Sequence, residues 1–372
     1  QAVVRVARGM AQDTIQDPEF QISRGVVERV LREGRALLTS DAQSDDRLSL
    51  RTSIHALGLR SILCAPLKAK DHTIGAIYVD NRLHAGIFLP DDLELLTAIA
   101  SSAAIAIENA RLYEVAVEKG RMERELQMAR SVQASLLPRS TPQVPGWEIA
   151  ARWRPARQVA GDYYDFLTGS GPEAGIVIAD VSGKGMPAAL FMALTRSIVR
   201  ASLSLSSDLA GDIGRANRLI SADAAEDGTF VTLFYACLAS GTGDVSYVNA
   251  GHNPPLLVKK HPMGQESAVV ELAPTGMALG ILDSARFEQR RVHMEPGDLL
   301  LLYTDGVTDA FRDGTERFGL HRLRRAVMGL RGEPAEGVVA ALETEVLQFA
   351  GTDQQFDDMA ILAARRVGQG RK

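Results

Sequence analysis

Asp162, Asp165 and Asp180 lie within 19 residues of one another. Carboxylates packed that densely repel each other unless a cation sits among them. Further acids arrive much later in the chain, Asp305 after the run Leu299-Leu300-Leu301-Leu302-Tyr303, and Asp357-Asp358 just before Met359-Ala360-Ile361-Leu362-Ala363. An all-oxygen ligand set suits hard divalent cations, and such cations activate water. Asp also starts turns routinely, and for any one of these residues that reading is equally good. Acids placed at strand ends in all three regions, beside glycine-rich turns, favour the metal.

Each acid needs a rigid support. Ile176-Val177-Ile178-Ala179 is a short apolar run between turn signals and predicts a buried strand that delivers Asp180 at its end. Gly183 and Gly185 follow, where missing side chains let backbone N–H groups approach an anion or a metal-bound water. Leu299 to Tyr303 and Met359 to Ala363 predict two more such strands, the second entered from Gln355-Phe356-Asp357-Asp358. Trp147, Ile149, Ala151 and Trp153 alternate as a half-buried strand would. Phe230–Leu238 and Val245–Ala250 predict a hairpin across Ser240-Gly241-Thr242-Gly243-Asp244. Met186 to Ser204 and Glu336 to Phe349 read as helices. Strands and helices do not alternate as βαβ units require, so the expectation is α+β, an antiparallel sandwich with helices outside.

The 372 residues are 46% hydrophobic, enough for two cores. A net charge of −5 leaves no electrostatic footprint for nucleic acid. Cys64 and Cys237 sit in apolar runs, as core thiols of a reducing compartment do, and neither begins a Cys-x5-Arg loop. With no signal peptide and no obvious membrane span, the expectation is a cytoplasmic protein without a membrane partner. Gln1 falls inside a periodic pattern, which suggests an N-terminal truncation.

Residues 1–98 form a first unit with a strand-like start at Val3–Ala7, a helix from Ser23 (its expected N-cap) through Leu31, and strands at Ala36–Thr39, Ser61–Leu67 and Ile74–Asp80. The last two strands, with Phe88 and Asp91-Asp92-Leu93, resemble the second half of a GAF domain. That resemblance implies a central antiparallel sheet in a sensor or dimerisation module. Asn81-Arg82, Phe88 and Asp92-Leu93 match the cyclic-nucleotide signature only in part, so a GAF ligand is left unknown. Residues 99–138 form a helical linker. Ile99, Ala103, Ala106, Ala110, Tyr113 and Val117 follow heptad spacing, which favours a coiled-coil homodimer over packing on the neighbouring domains. Gly120 interrupts the seam and is expected to be a hinge or a helix end.

Residues 139–372 carry the second resemblance. Gly161-Asp162-Tyr163-Tyr164-Asp165, Ala179-Asp180-Val181-Ser182-Gly183-Lys184-Gly185, Asn249-Ala250-Gly251-His252-Asn253, Tyr303-Thr304-Asp305-Gly306 and Asp357-Asp358-Met359 occur in order. Together they resemble the SpoIIE/RsbU-like branch of the metal-dependent (protein phosphatase 2C) family, and Ala129–Pro138 is similar to its entry helix. Ala160, Asp309 and Ala360 depart from the usual pattern, but none removes a carboxylate. The resemblance implies an αββα sandwich and two Mn2+ or Mg2+ ions. Asp180 would bridge them with the Val181 carbonyl beside it, Asp305 and Asp357 would bind directly, and Asp162 would act through a metal-bound water. Asp358 would orient the last ligand loop, and Gly183 and Gly185 would shape the turn. Lys184 reads either as a contact to substrate phosphate or as a solvated turn lysine. His252 reads as a residue that fixes its loop in preference to a general acid. The other histidines show no ligand spacing. The implied activity is hydrolysis of phosphoserine or phosphothreonine on a partner-switching, anti-anti-sigma-like protein under GAF control. The rival readings are a non-catalytic phosphoprotein binder and a hydrolase of small phosphate esters.

Overall fold

The computed structural model describes residues 3–8, 22–45, 57–169, 171, 173–203, 205, 208–224, 228–260, 269–351 and 357–368. Gln1, Ser204, His55, His261, Gln355 and Phe356 lie outside them. The chain divides into two compact units, Gln1–Met122 and Glu123–Lys372.

In the first unit, helix α1 (Arg24–Glu33) precedes a three-stranded antiparallel sheet of β1 (Leu37–Thr39), β2 (Ser61–Ala69) and β3 (His72–Asn81), in that order. Val26 and Val30, four apart on one helix face, pack with Leu37, Ile62 and Cys64. Gly34 ends α1 at φ 58°, and its N–H reaches the Val30 carbonyl at 2.9 Å. Ser23 occupies the cap position, but its side chain makes no capping hydrogen bond. The expected strand at Val3–Ala7 does not form.

Helix α2 (Pro90–Leu136) is continuous for 47 residues through Gly120, which is therefore not a helix end. One exposed Gly costs about 1 kcal/mol, too little to break so long a helix. Ile99, Tyr113 and Val117 on its predicted seam are exposed. The helix also proves long and apolar enough, by composition alone, to cross a membrane. Leucines, isoleucines and alanines interleaved with small polar residues through its first half produce that character without forming a solid apolar run.

The second unit is built on two five-stranded antiparallel sheets and a two-stranded ribbon of β13 (Phe311–Arg312) and β14 (Glu316–Arg317). One has the order β10 (Val269–Glu271), β9 (Leu256–Val258), β12 (Leu299–Tyr303), β15 (Met359–Arg366), β4 (Trp147–Arg154). The other has the order β11 (Arg290–His293), β8 (Asp244–Ala250), β7 (Val231–Leu238), β6 (Ala174–Val181), β5 (Tyr163–Thr168). The predicted hairpin is β7–β8. Strand alternation sorts each apolar run onto two faces. Leu300 and Leu302 meet Ile176, Ile178 and Phe234 between the sheets. Leu299, Leu301 and Tyr303 face away, onto α6 (Gly319–Gly329) and α7 (Ala335–Ala350), through Leu323, Val338 and Leu342. On the opposite side Val177, Ala179 and Tyr235 pack on α3 (Met186–Ser202) and α4 (Leu209–Ala224), through Met192, Val199 and Ile213. The runs are solid because both faces are buried. The result is the expected αββα sandwich.

Candidate metal centre

Five acids collect where strands of the two sheets begin or end. Asp162 immediately precedes β5, Asp180 is the penultimate residue of β6, Asp305 opens the four-residue helix α5 (Asp305–Thr308) after β12, and Asp357-Asp358 leads into β15. The pairing of Tyr303 with Ile361 sets the last two segments side by side. Thr304 locks them, its hydroxyl accepting the Ala360 N–H at 2.8 Å while its own N–H donates to the Ala360 carbonyl at 3.1 Å. Only glycine fits at 306, since a Cβ there would lie 1.8 Å from the Asp358 carbonyl oxygen.

The carboxylates share one electrostatic environment. Burial, then Asp180 and Asp358, hold the Asp162 carboxyl well above the usual range, against a hydrogen bond with Thr304. Burial and Asp305 push Asp180 up to about 7. Burial and Asp357 raise Asp305. Burial raises Asp358 too, opposed by the Ala156 and Gly161 N–H groups, which it accepts at 2.8 Å each. Asp162 Oδ2 is buried without a hydrogen-bond partner.

Among the described residues, no three Asp, Glu, His or Cys side chains converge closely enough as they stand to hold a metal ion. Asp358 turns both oxygens toward backbone donors, and Asp357 Oδ2 pairs with Lys184 Nζ at 2.7 Å. The donor chemistry nonetheless fits hard cations: all oxygen, mutually repelling, with an orphaned carboxylate oxygen at Asp162. Gly183 and Gly185, at φ 95° and 80°, carry the turn past Lys184 with open space around both Cα positions.

The structure separates some residues that the sequence had grouped. Asp165 does not join the cluster. It shares the helix-facing side of β5 with Tyr163, accepts two hydrogen bonds from Arg200 at 2.7 and 2.8 Å, and pairs with Arg196 at 3.1 Å. Two guanidiniums from successive turns of α3 do for Asp165 what a cation was expected to do. His252 is 2% exposed, its ring Nδ1 lies 2.8 Å from the Thr232 hydroxyl, and its backbone N–H donates to Asn249 Oδ1 at 2.8 Å. Burial lowers it to about 4, which leaves a neutral ring at pH 7. Thr232 lies directly across from Asp180. The sequence reading missed Gln133 and Thr304. A polar residue within the apolar stripe Leu126, Ala129, Leu136 and Leu137 was the available signal for Gln133.

The family model described as Stage II sporulation protein E (SpoIIE) matches residues 170–367, more than half of the chain, and the GAF domain model matches residues 2–107. The chain belongs to the SpoIIE family and combines a GAF domain with a domain of the PP2C-type phosphatase fold. Protein IcfG of Synechocystis sp. is 31% identical over 279 residues, spanning 67% of this chain and 43% of that protein. Phosphoserine phosphatase RsbU of Bacillus subtilis is 29% identical over 244 residues, spanning 65% of this chain and 70% of RsbU. The SiaA-PP2C domain of Pseudomonas aeruginosa superposes with a TM-score of 0.60 at 20% identity, covering 67% of this chain and 99% of that domain.

Proposed function

We propose that the chain is a metal-dependent phosphatase that removes phosphate from serine or threonine of a small partner-switching phosphoprotein, of the anti-anti-sigma type. The observation that carries this reading is the gathering of Asp162, Asp180, Asp305, Asp357 and Asp358 around a glycine turn, in a fold and family of phosphatases. RsbU, named a phosphoserine phosphatase, supports the substrate class.

Asp180, Asp305 and Asp357 would hold two divalent cations, Mn2+ or Mg2+, with the Val181 carbonyl completing the set and Asp162 acting through a bound water. Such ions supply an activated water and polarise the phosphoryl oxygens. The protein contributes the rest. Asp358 fixes the Ala156–Gly161 loop through its two backbone contacts. Lys184 neutralises Asp357 and, once released, lies at hand for a phosphate oxygen. His252 holds the loop after β8 against Thr232.

Control is assigned to the GAF unit of residues 1–98 and the linker of residues 99–138, with or without a GAF ligand. Helix α2 begins in the first unit and ends in the second, and its exposed Ile99, Tyr113 and Val117 suit a parallel second copy. The cytoplasm is the proposed compartment, consistent with free Cys64 and Cys237.

The test is phosphate release from a generic phosphate ester and a phosphoserine peptide, with Mn2+, Mg2+ or chelator. Activity that requires metal and is lost in Asp305→Ala is expected. A full chain and a 123–372 fragment that are both inert with every metal would replace this reading with the binding-only one.

A further inference from the structure

Gln133 is 4% exposed on a helix stripe that is otherwise apolar. Its Nε2 donates to the Ala160 carbonyl at 2.6 Å, and its Oε1 accepts the Ala160 N–H at 3.0 Å. A single side chain thus satisfies both polar groups of one buried residue. A buried amide is costly without such partners, and leucine would suit the stripe better if sealing the helix end were the whole task.

The two residues after Ala160 give the contact its meaning. The Gly161 N–H donates to Asp358 Oδ2 at 2.8 Å, and the Asp162 carbonyl accepts the Trp153 indole N–H at 2.9 Å. Three consecutive residues are therefore each held by a different element. Gly161 also lies so close to Val181 that a Cβ on it would stand 2.9 Å from the Val181 carbonyl oxygen. Gly161 thus packs against that carbonyl and leads directly into Asp162, so the position of Ala160 bears on both. Of the three clamps, only the one at Ala160 comes from helix α2; the others come from β4 and from the lead into β15.

We propose that Gln133 is a positioning residue: by clamping both backbone groups of Ala160 it sets the placement of Asp162, two residues on, and with it the affinity of the site for a divalent cation. The inference rests on the metal-dependent phosphatase reading. Partners hydrogen-bonded directly to metal ligands change affinity by about 10- to 100-fold, and a clamp two residues from a candidate ligand is expected at the lower end of that range.

The experiment is titration calorimetry of the full chain with Mn2+, alongside melting temperature in chelator. Gln133→Leu leaves both Ala160 groups unpaired and is expected to weaken Mn2+ binding by about tenfold. Gln133→Glu sets a carboxylate oxygen against the Ala160 carbonyl and weakens binding as well. Leu323→Ala, a cavity variant in the opposite helix layer, lowers the melting temperature while Mn2+ affinity stays at the wild-type value. A folded Gln133→Leu chain that binds Mn2+ as tightly as wild type overturns the proposal. Should that variant fail to fold, wild-type affinity in Gln133→Glu overturns it instead. A wild-type chain that binds no Mn2+ refutes the phosphatase reading itself, an outcome distinct from variants that leave binding undisturbed.

Discussion

Lys184 Nζ and Asp357 Oδ2 stand 2.7 Å apart, so the turn after β6 and the lead into β15 are joined by an ion pair at the candidate site. The pair is partly exposed, with the lysine side chain 43% and the aspartate 26% accessible. Its worth is therefore at most about 1 kcal/mol. A cation that takes Asp357 must displace the lysine, so Lys184→Met is expected to tighten Mn2+ binding by up to about fivefold. Equilibrium titration of the variant checks this, and weaker binding would show that Lys184 assists metal capture.

Gly306 presses on the backbone of Asp357 and Asp358 more closely than any side chain permits. Gly306→Ala should push that segment away, cost about 1–3 kcal/mol of stability as overpacking does, and abolish metal-dependent hydrolysis. Thermal unfolding and phosphate release measured on one preparation separate the two effects. Retained activity would mean that the segment carrying Asp357 is not a ligand loop.

Asp165 and Asp162 offer a matched contrast. Asp165 is 2% exposed, against Arg196 at 14%. Removing its charge strands a largely buried guanidinium, so Asp165→Ala is expected to destabilise by about 3–5 kcal/mol. It should leave Mn2+ affinity unchanged, whereas Asp162→Ala should weaken that affinity with far less loss of stability. Denaturant unfolding in chelator together with metal titration distinguishes the pair.

His252 makes a pH prediction with a definite sign. Unfolded, its ring takes up a proton near pH 6.5, whereas in the fold burial delays this to about 4. The unfolded chain therefore binds more protons across that window, and stability falls as pH drops from 6.5 toward 4, by up to about 3 kcal/mol. His252→Gln should flatten this part of the stability–pH curve. An unchanged slope in the variant would assign the dependence to other groups.

The sandwich was legible because its strands are solid apolar runs that end in acids and glycines; Leu299 to Tyr303 leaves few alternatives to a strand covered on both faces. The features that stayed hidden depended on partners distant in sequence. Asp165 has the same residue type and neighbourhood as Asp162, but it projects from the strand toward arginines on a helix still to come. Gln133 looked like one more residue of an entry motif until Ala160 was placed against it. Gly120 read as a possible helix end because propensity is a local quantity, whereas a helix of 47 residues has many turns to absorb one weak position.

Strand β15 lies in the interior of its sheet, flanked by β12 and by β4, the first strand of the second unit. The earliest and latest strands of this unit are thus paired along their whole length, the slowest kind of contact for a chain to make. On the ribosome, β4 and β12 must wait with open edges until Arg366 has emerged. The segment that closes the sheet also brings Asp357 and Asp358. A nascent chain therefore gains its last candidate ligands only in the step that closes this sheet, and the cluster of five acids cannot assemble before β15 is paired.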